Sequence, residues 1–150
     1  QNKKEEEEKY EVITFEEDCS ELQLFDFNSY ETYVKIVDIY DGDTFTGCFK
    51  YNNKLMKYKF RCLGYDSPEM KPLKSVKNRD DVIKSAKEAK EKFKELTKWD
   101  SELVFIKFGK FDKYGRILGT VYNNDKLDIN EEMIKLGHGY PYDGGTKRSI

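Results

Sequence analysis

Arg61-Cys62-Leu63-Gly64-Tyr65-Asp66-Ser67-Pro68-Glu69 puts one guanidinium and two carboxylates into a single short stretch. These groups suit hydrolysis of a phosphodiester. The guanidinium meets phosphate charge, one carboxylate holds a divalent cation, and the other orients or deprotonates water. The elements that must position them are legible around the motif. Before it, apolar Met56, Tyr58 and Phe60 alternate with charged Lys57, Lys59 and Arg61, the period of a half-buried strand. Gly64 and Pro68 break that strand, and the proline pushes Ser67 out of the helical region. Arg61 is therefore expected on the polar face of a strand, with Asp66 and Glu69 on the stiff turn that follows.

The rest of the chain reads as strands with two helices. Tyr33 to Tyr40 is rich in Val, Ile and Tyr, Asp41-Gly42-Asp43 is a turn, and Thr44 to Tyr51 resumes a strand. Asn52-Asn53 signals a hairpin into Leu55 to Leu63. Residues 70–79 form a basic, irregular loop. Asp80 or Asp81 then caps a helix to about Trp99, whose apolar stripe is Val82, Ala86, Ala89, Phe93 and Leu96. Leu103 to Phe108 and Ile117 to Tyr122 are strands around the turn Phe111 to Arg116. Asp128, with Glu131 three residues on, caps a short helix ending at Gly137. The tail after it is aromatic at Tyr140 and Tyr142, then flexible from Asp143 to Gly145. Three strands, a helix, two strands and a helix make an α+β fold. The layout is that of a five-stranded OB-type Greek-key β-barrel, with the long helix between strands 3 and 4 and the short one after strand 5.

The 150 residues form one domain preceded by an arm. Residues 1–32 carry three lysines against eleven acidic residues, a net of −8, whereas the remainder nets +6. Residues 1–11 read as disordered. Residues 12–32 are too apolar for a free tail and are expected to pack on the domain as a short strand or helix. The sharper reading makes them an inhibitory arm. A basic domain at 33–150 fits a polyanion-binding protein. Three cysteines without metal spacing argue for a reducing, intracellular compartment. No signal peptide is visible, and no apolar run reaches the roughly 18 residues of a membrane span.

Several motifs are bland alone. Asp41-Gly42-Asp43-Thr44 and Asp112 to Arg116 are ordinary turns. His138 reads as a surface or helix-end residue. Tyr140 and Tyr142 suit base stacking or core packing equally. Their combination is specific. Asp-Gly-Asp-Thr, Arg-x-x-Gly-x-Asp-Ser-Pro-Glu, Asp-Lys-Tyr-Gly-Arg and Ile-Asn-Glu, in this order, resemble the staphylococcal nuclease (thermonuclease) family over about residues 33–142.

That resemblance implies a calcium-dependent phosphodiesterase that acts on DNA and RNA and leaves 3′-phosphates. It implies Asp43 and Asp66 as calcium carboxylates, with the Ser67 carbonyl as a further ligand where the family usually has threonine. Asp41 matches an acid just behind the metal. Glu69 matches the group that deprotonates or orients water, and Arg61 and Arg116 match the phosphate-clamping arginines. Lys113 and Tyr114 match residues near the nucleotide's terminal phosphate, and Tyr140 and Tyr142 are substrate-contact candidates. Arg116, in a turn, is expected to be the freer arginine. A monomer with nucleic-acid substrates and no membrane partner is expected. Longer family members carry a third helix, for which the chain after Tyr142 is short. Two other readings stand beside this one: a catalytically inactive copy that only binds, and an unrelated OB-fold single-strand binder.

Overall fold

The computed structural model describes residues 9–142. Five strands close into a barrel in the order β1-β2-β3-β6-β5. β1 (Glu31–Ile39), β2 (Thr44–Tyr51) and β3 (Lys54–Cys62) form an antiparallel meander. Its second turn is Asn52-Asn53, with φ of 50° and 63°. Two left-handed residues match the twist of the flanking strands, and asparagine tolerates that conformation best after glycine. β5 (Val104–Phe111) returns to β1, and β6 (Ile117–Tyr122) pairs in parallel with β3. β1 carries a bulge between Ile36 and Asp38, which bends it into the closed barrel.

α1 (Arg79–Thr97) crosses between β3 and β5. Val82, Ala86, Ala89 and Phe93 are buried as the spacing requires, and Leu96 is half-buried. Its N-cap is Asn78, without a side-chain cap bond, and not Asp80 or Asp81. Those two acids lie in the first turn, where they still complement the helix dipole. The helix ends at Thr97, followed by a left-handed Lys98. α2 (Ile129–Lys135) starts as expected, with the Asp128 carboxylate accepting from Glu131 N at 3.0 Å. It stops where Gly137 turns left-handed and His138 N donates to Met133 O, which is all the half-buried His138 does in the cap.

Two short strands lie outside the expected layout. β4 (Tyr65–Asp66) pairs antiparallel with β7 (Tyr140–Pro141). The aromatic tail is thus hydrogen-bonded to the chemical motif.

The expectation that residues 12–32 pack on the domain holds only at their end. Val12, Ile13, Phe15, Leu22 and Leu24 are exposed, whereas Phe27 is buried. Phe27 sits edge-on to Phe49, Tyr51, Tyr58, Phe108 and Phe111 at 5.0–6.1 Å between ring centres. It caps the barrel, and the more exposed Phe25 packs edge-on to Phe27 at 4.9 Å and to Tyr51 at 6.0 Å between ring centres. The expectations for residues 1–8 and 143–150 lie outside the described residues. Among the described residues no helix is long and apolar enough to cross a membrane.

Candidate active site

The β1–β2 turn, the end of β3 and β4 converge on Arg61. β2–β3 pairing sets Thr44 opposite Arg61, so the preceding Asp43 lies beside it. Arg61 Nη1 meets Asp43 Oδ2 at 2.9 Å, and Nη2 meets Asp66 Oδ1. Arg61 also donates to Tyr65 O at 3.4 Å and lies 5.9 Å from the centre of the Tyr142 ring. Asp41, Asp43, Asp66 and Ser67 are all buried. Leaving carboxylates buried without a cation would be costly, and Arg61 is the cation that offsets it.

Asp43 is the most heavily coordinated group. Its carboxylate accepts from Thr44 Oγ1 at 2.8 Å and from Ser67 N at 2.8 Å. Burial alone would push its pKa up. The Asp41 hydrogen bond, the Arg61 charge and the Ser67 N–H together hold it below the usual carboxylate range. Asp41 behaves oppositely. Its Oδ1 accepts from Asp43 N at 3.0 Å. Burial, and then the neighbouring Asp43 charge, push its pKa up to about 7. The cluster therefore holds three carboxyl groups against one guanidinium.

Tyr65 fastens the cluster from below. Its hydroxyl donates to Gly42 O at 2.6 Å, inside the turn that carries Asp41 and Asp43. Burial raises the Tyr65 hydroxyl and Cys62 thiol pKa values well above their ordinary ones, so neither supplies an anion. Ser67 Oγ is enclosed and without a hydrogen-bond partner. It faces the turn: a Cβ at Gly42 would lie 3.3 Å from it. The main chain of Ser67, through its N–H, is what engages the Asp43 carboxylate. Glu69 is exposed, two residues beyond Ser67 and one beyond the buried Pro68.

Arg116 belongs to a second group, on the β5–β6 turn. Its Nε donates to Asp112 Oδ2 at 2.6 Å. Asp112 Oδ1 also accepts from Tyr114 N and Arg116 N, both at 2.9 Å. The exposed Tyr114 ring has Lys113 Nζ 5.2 Å and Arg116 Cζ 5.3 Å from its centre. Arg116, expected to be the freer arginine, has one carboxylate partner where Arg61 has two, and its side chain is the more exposed of the pair. A single carboxylate staples the turn and the guanidinium together. Parallel pairing of Phe60 with Ile117 and Arg61 with Leu118 brings the turn of Arg116 to the strand next to Arg61.

Two positioning residues stand inside the motifs quoted from the sequence but were given no role there. Asp112 is one. It looked like turn chemistry because a carboxylate at such a position bonds its own backbone in most turns. Asn130 is the other. Its Oδ1 accepts from Val121 N at 3.0 Å, and its Nδ2 donates to Leu63 O at 2.7 Å and Gly119 O at 3.1 Å. It ties α2 to β6 and to the end of β3, and nothing in the sequence around it announces partners so distant.

Residues 59–146 match the family described as staphylococcal nuclease homologue. The chain belongs to this family. The match takes in the end of β3, the acidic motif, α1, both later strands and α2, so Arg61, Asp66 and Arg116 lie within it, whereas Asp41 and Asp43 lie before it. A protein of Escherichia coli named "Uncharacterized endonuclease" is 27% identical over 109 residues, covering 73% of this chain and 60% of that protein. The chain thus spans less than two thirds of that relative.

The side chains around Arg61 carry donors of the kind calcium takes: Asp43 and Asp66 offer hard oxygen atoms, and the cluster has more carboxyl groups than positive charge. Among the described residues no group of three or more His, Cys, Asp or Glu side chains is gathered for a metal. Few protein ligands suit an ion that takes six to eight oxygens and completes its shell with water or phosphate.

Proposed function

We propose that the protein is a calcium-dependent nuclease that hydrolyses phosphodiester bonds of DNA and RNA and leaves 3′-phosphates. The observation that supports it most is Arg61 seated between Asp43 and Asp66, with Ser67 N on the same Asp43 carboxylate. Asp43, Asp66 and the Ser67 carbonyl would hold the ion. Bound there, calcium supplies positive charge for the phosphoryl oxygens and lowers the pKa of a water molecule. Asp41 stands behind Asp43 and orders the turn. Arg61 and Arg116 each offer a planar fork to phosphate oxygens where charge grows in the transition state. Glu69 accepts the proton of the attacking water or orients it. Lys113 and Tyr114 would bind a terminal phosphate, and Tyr140 and Tyr142 would line the nucleotide.

The alternative is an inactive family copy that only binds nucleic acid. The presence of Asp43, Arg61, Asp66, Glu69 and Arg116 together favours the enzyme. Plasmid DNA incubated with calcium, with magnesium and with EDTA separates the two. Cleavage is expected in calcium, less in magnesium and none in EDTA. Glu69→Gln should lower kcat by about 10²-fold in a protein that remains folded. No cleavage with any metal would leave the binding module, and equal rates in EDTA would remove the metal.

A further inference from the structure

The outer face of β3 carries more positive charge than the catalytic cluster uses. Lys57 and Lys59 are exposed and alternate with Met56, Tyr58 and Phe60, which face the core. They lie on the same side of the strand as Arg61. Across the β2–β3 pair, Lys57 faces Cys48, Lys59 faces Thr46 and Arg61 faces Thr44. Exposed Lys50 continues that row on β2. Lys50 itself faces Leu55, so all these cross-strand neighbours are uncharged and none of them neutralises the lysines. Among the described residues none of the three is in an ion pair. The acid on these rungs is Asp38, one strand further off across Thr46. On the opposite flank lies Arg116, the turn residue that leads into β6.

We infer that this face is an extended subsite for a polynucleotide strand, whose phosphates leave the catalytic cluster at Arg61 and run past Lys59 and Lys57 towards Lys50. It rests on reading the cluster at Arg61 as the phosphodiester site. The strand fixes the spacing of the cations, because alternate residues lie roughly 6.5 Å apart on one face. Long lysine side chains bridge what remains to a flexible backbone. Phosphate contacts of this kind position a nucleic acid without reading its sequence. The face fits that role, since Thr44, Thr46 and Cys48 offer no ring on which a base could stack. The outer face of the second and third strands is also where OB barrels receive oligonucleotides. The ligand class is therefore the sugar-phosphate backbone, in deoxy or ribo form. The site favours polymers over isolated nucleotides.

Binding without cleavage tests this. Fluorescence anisotropy of labelled oligothymidine and oligouridine in EDTA is measured across a range of salt for three proteins. These are the wild type, a Lys50→Gln/Lys57→Gln/Lys59→Gln variant, and a control with Lys84→Gln, Lys87→Gln and Lys135→Gln on the exposed faces of the helices. Both variants lose the same net charge. The β3 variant should lower the slope of log K against log salt by about 2, since each single-strand phosphate contact contributes about 0.7. Its Kd should rise at least about tenfold at low salt. The control should follow the wild type with both oligomers. Equal slopes in all three proteins, or equal losses in both variants, would overturn the subsite. Because EDTA removes catalysis from the measurement, a wild type that binds along β3 but never cleaves would sink the nuclease reading and leave the subsite standing.

Discussion

Arg116 and Arg61 are each held by carboxylates, and the difference in their partners has consequences. Arg61 is shared between two buried acids from separate elements, whereas Arg116 depends on Asp112 alone. Asp112→Asn keeps the side-chain shape but weakens the grip on Nε. It should lower kcat/KM by about tenfold, because a misplaced charge costs transition-state stabilisation. Acid adds a second readout. Burial alone would raise the Asp112 carboxyl, but the Arg116 N–H, the Arg116 side chain and Tyr114 N bring it below 3.8. A carboxyl depressed on folding stabilises the protein above its unfolded pKa. That stability is lost as pH falls through the lower folded value. Urea melts should therefore show Asp112→Asn less stable at neutral pH, with the gap closing as pH falls below 3.8. A gap that persists at about pH 2 would mean that Asp112 acts by shape and not by charge.

The β4–β7 pair is the element that makes the site a closed cluster. Tyr65 and Asp66 pair with Pro141 and Tyr140, and Tyr142 N donates to Gly64 O at 2.9 Å. The approach to β7 is tight. A Cβ at Gly139 would lie 2.6 Å from the Tyr65 ring, so Gly139→Ala must displace the side chain that holds Gly42 O. We expect a loss of about 1–3 kcal/mol from overpacking. Calcium affinity should fall too, because the turn bearing Asp43 loses its support. Gly137→Ala gives the comparison. Nothing lies within 4 Å of its Cβ, but its φ is +81°. It should cost about 1 kcal/mol of backbone strain and leave calcium affinity unchanged. Calorimetry of both variants with calcium decides whether β7 acts on the site or only on the fold.

At the scale of the whole molecule, the barrel is closed by a residue from the acidic segment. Phe27 is 3% exposed and Phe15 is 100% exposed, though both are phenylalanines among acids. Phe27→Ala opens a cavity among seven aromatic rings and should cost about 3–5 kcal/mol. Phe15→Ala should stay within about 0.5 kcal/mol of the wild type. Thermal melts of the two variants measure this directly. Equal effects would mean that the segment packs elsewhere in solution.

Periodicity alone determined much of this fold. The bounds of β2 and β6, the Asn52-Asn53 hairpin and the buried stripe of α1 follow from local patterns of two and of three to four residues. The Asp128 cap follows from its spacing to Glu131. The order of motifs carried the family, and the residue types at Asp43, Arg61 and Asp66 carry the proposed chemistry. Tertiary structure decided what no local pattern encodes. Which carboxylates meet Arg61 depends on β2–β3 register, and bringing the turn of Arg116 to the strand next to Arg61 depends on a parallel pairing closed only after α1. The docking of Tyr140 against Asp66, the reach of Asn130 to Leu63 and the selection of Phe27 over Phe15 are long-range choices. A short apolar or polar residue looks the same in sequence whether or not a distant partner exists, and the closed barrel is what supplies the partner.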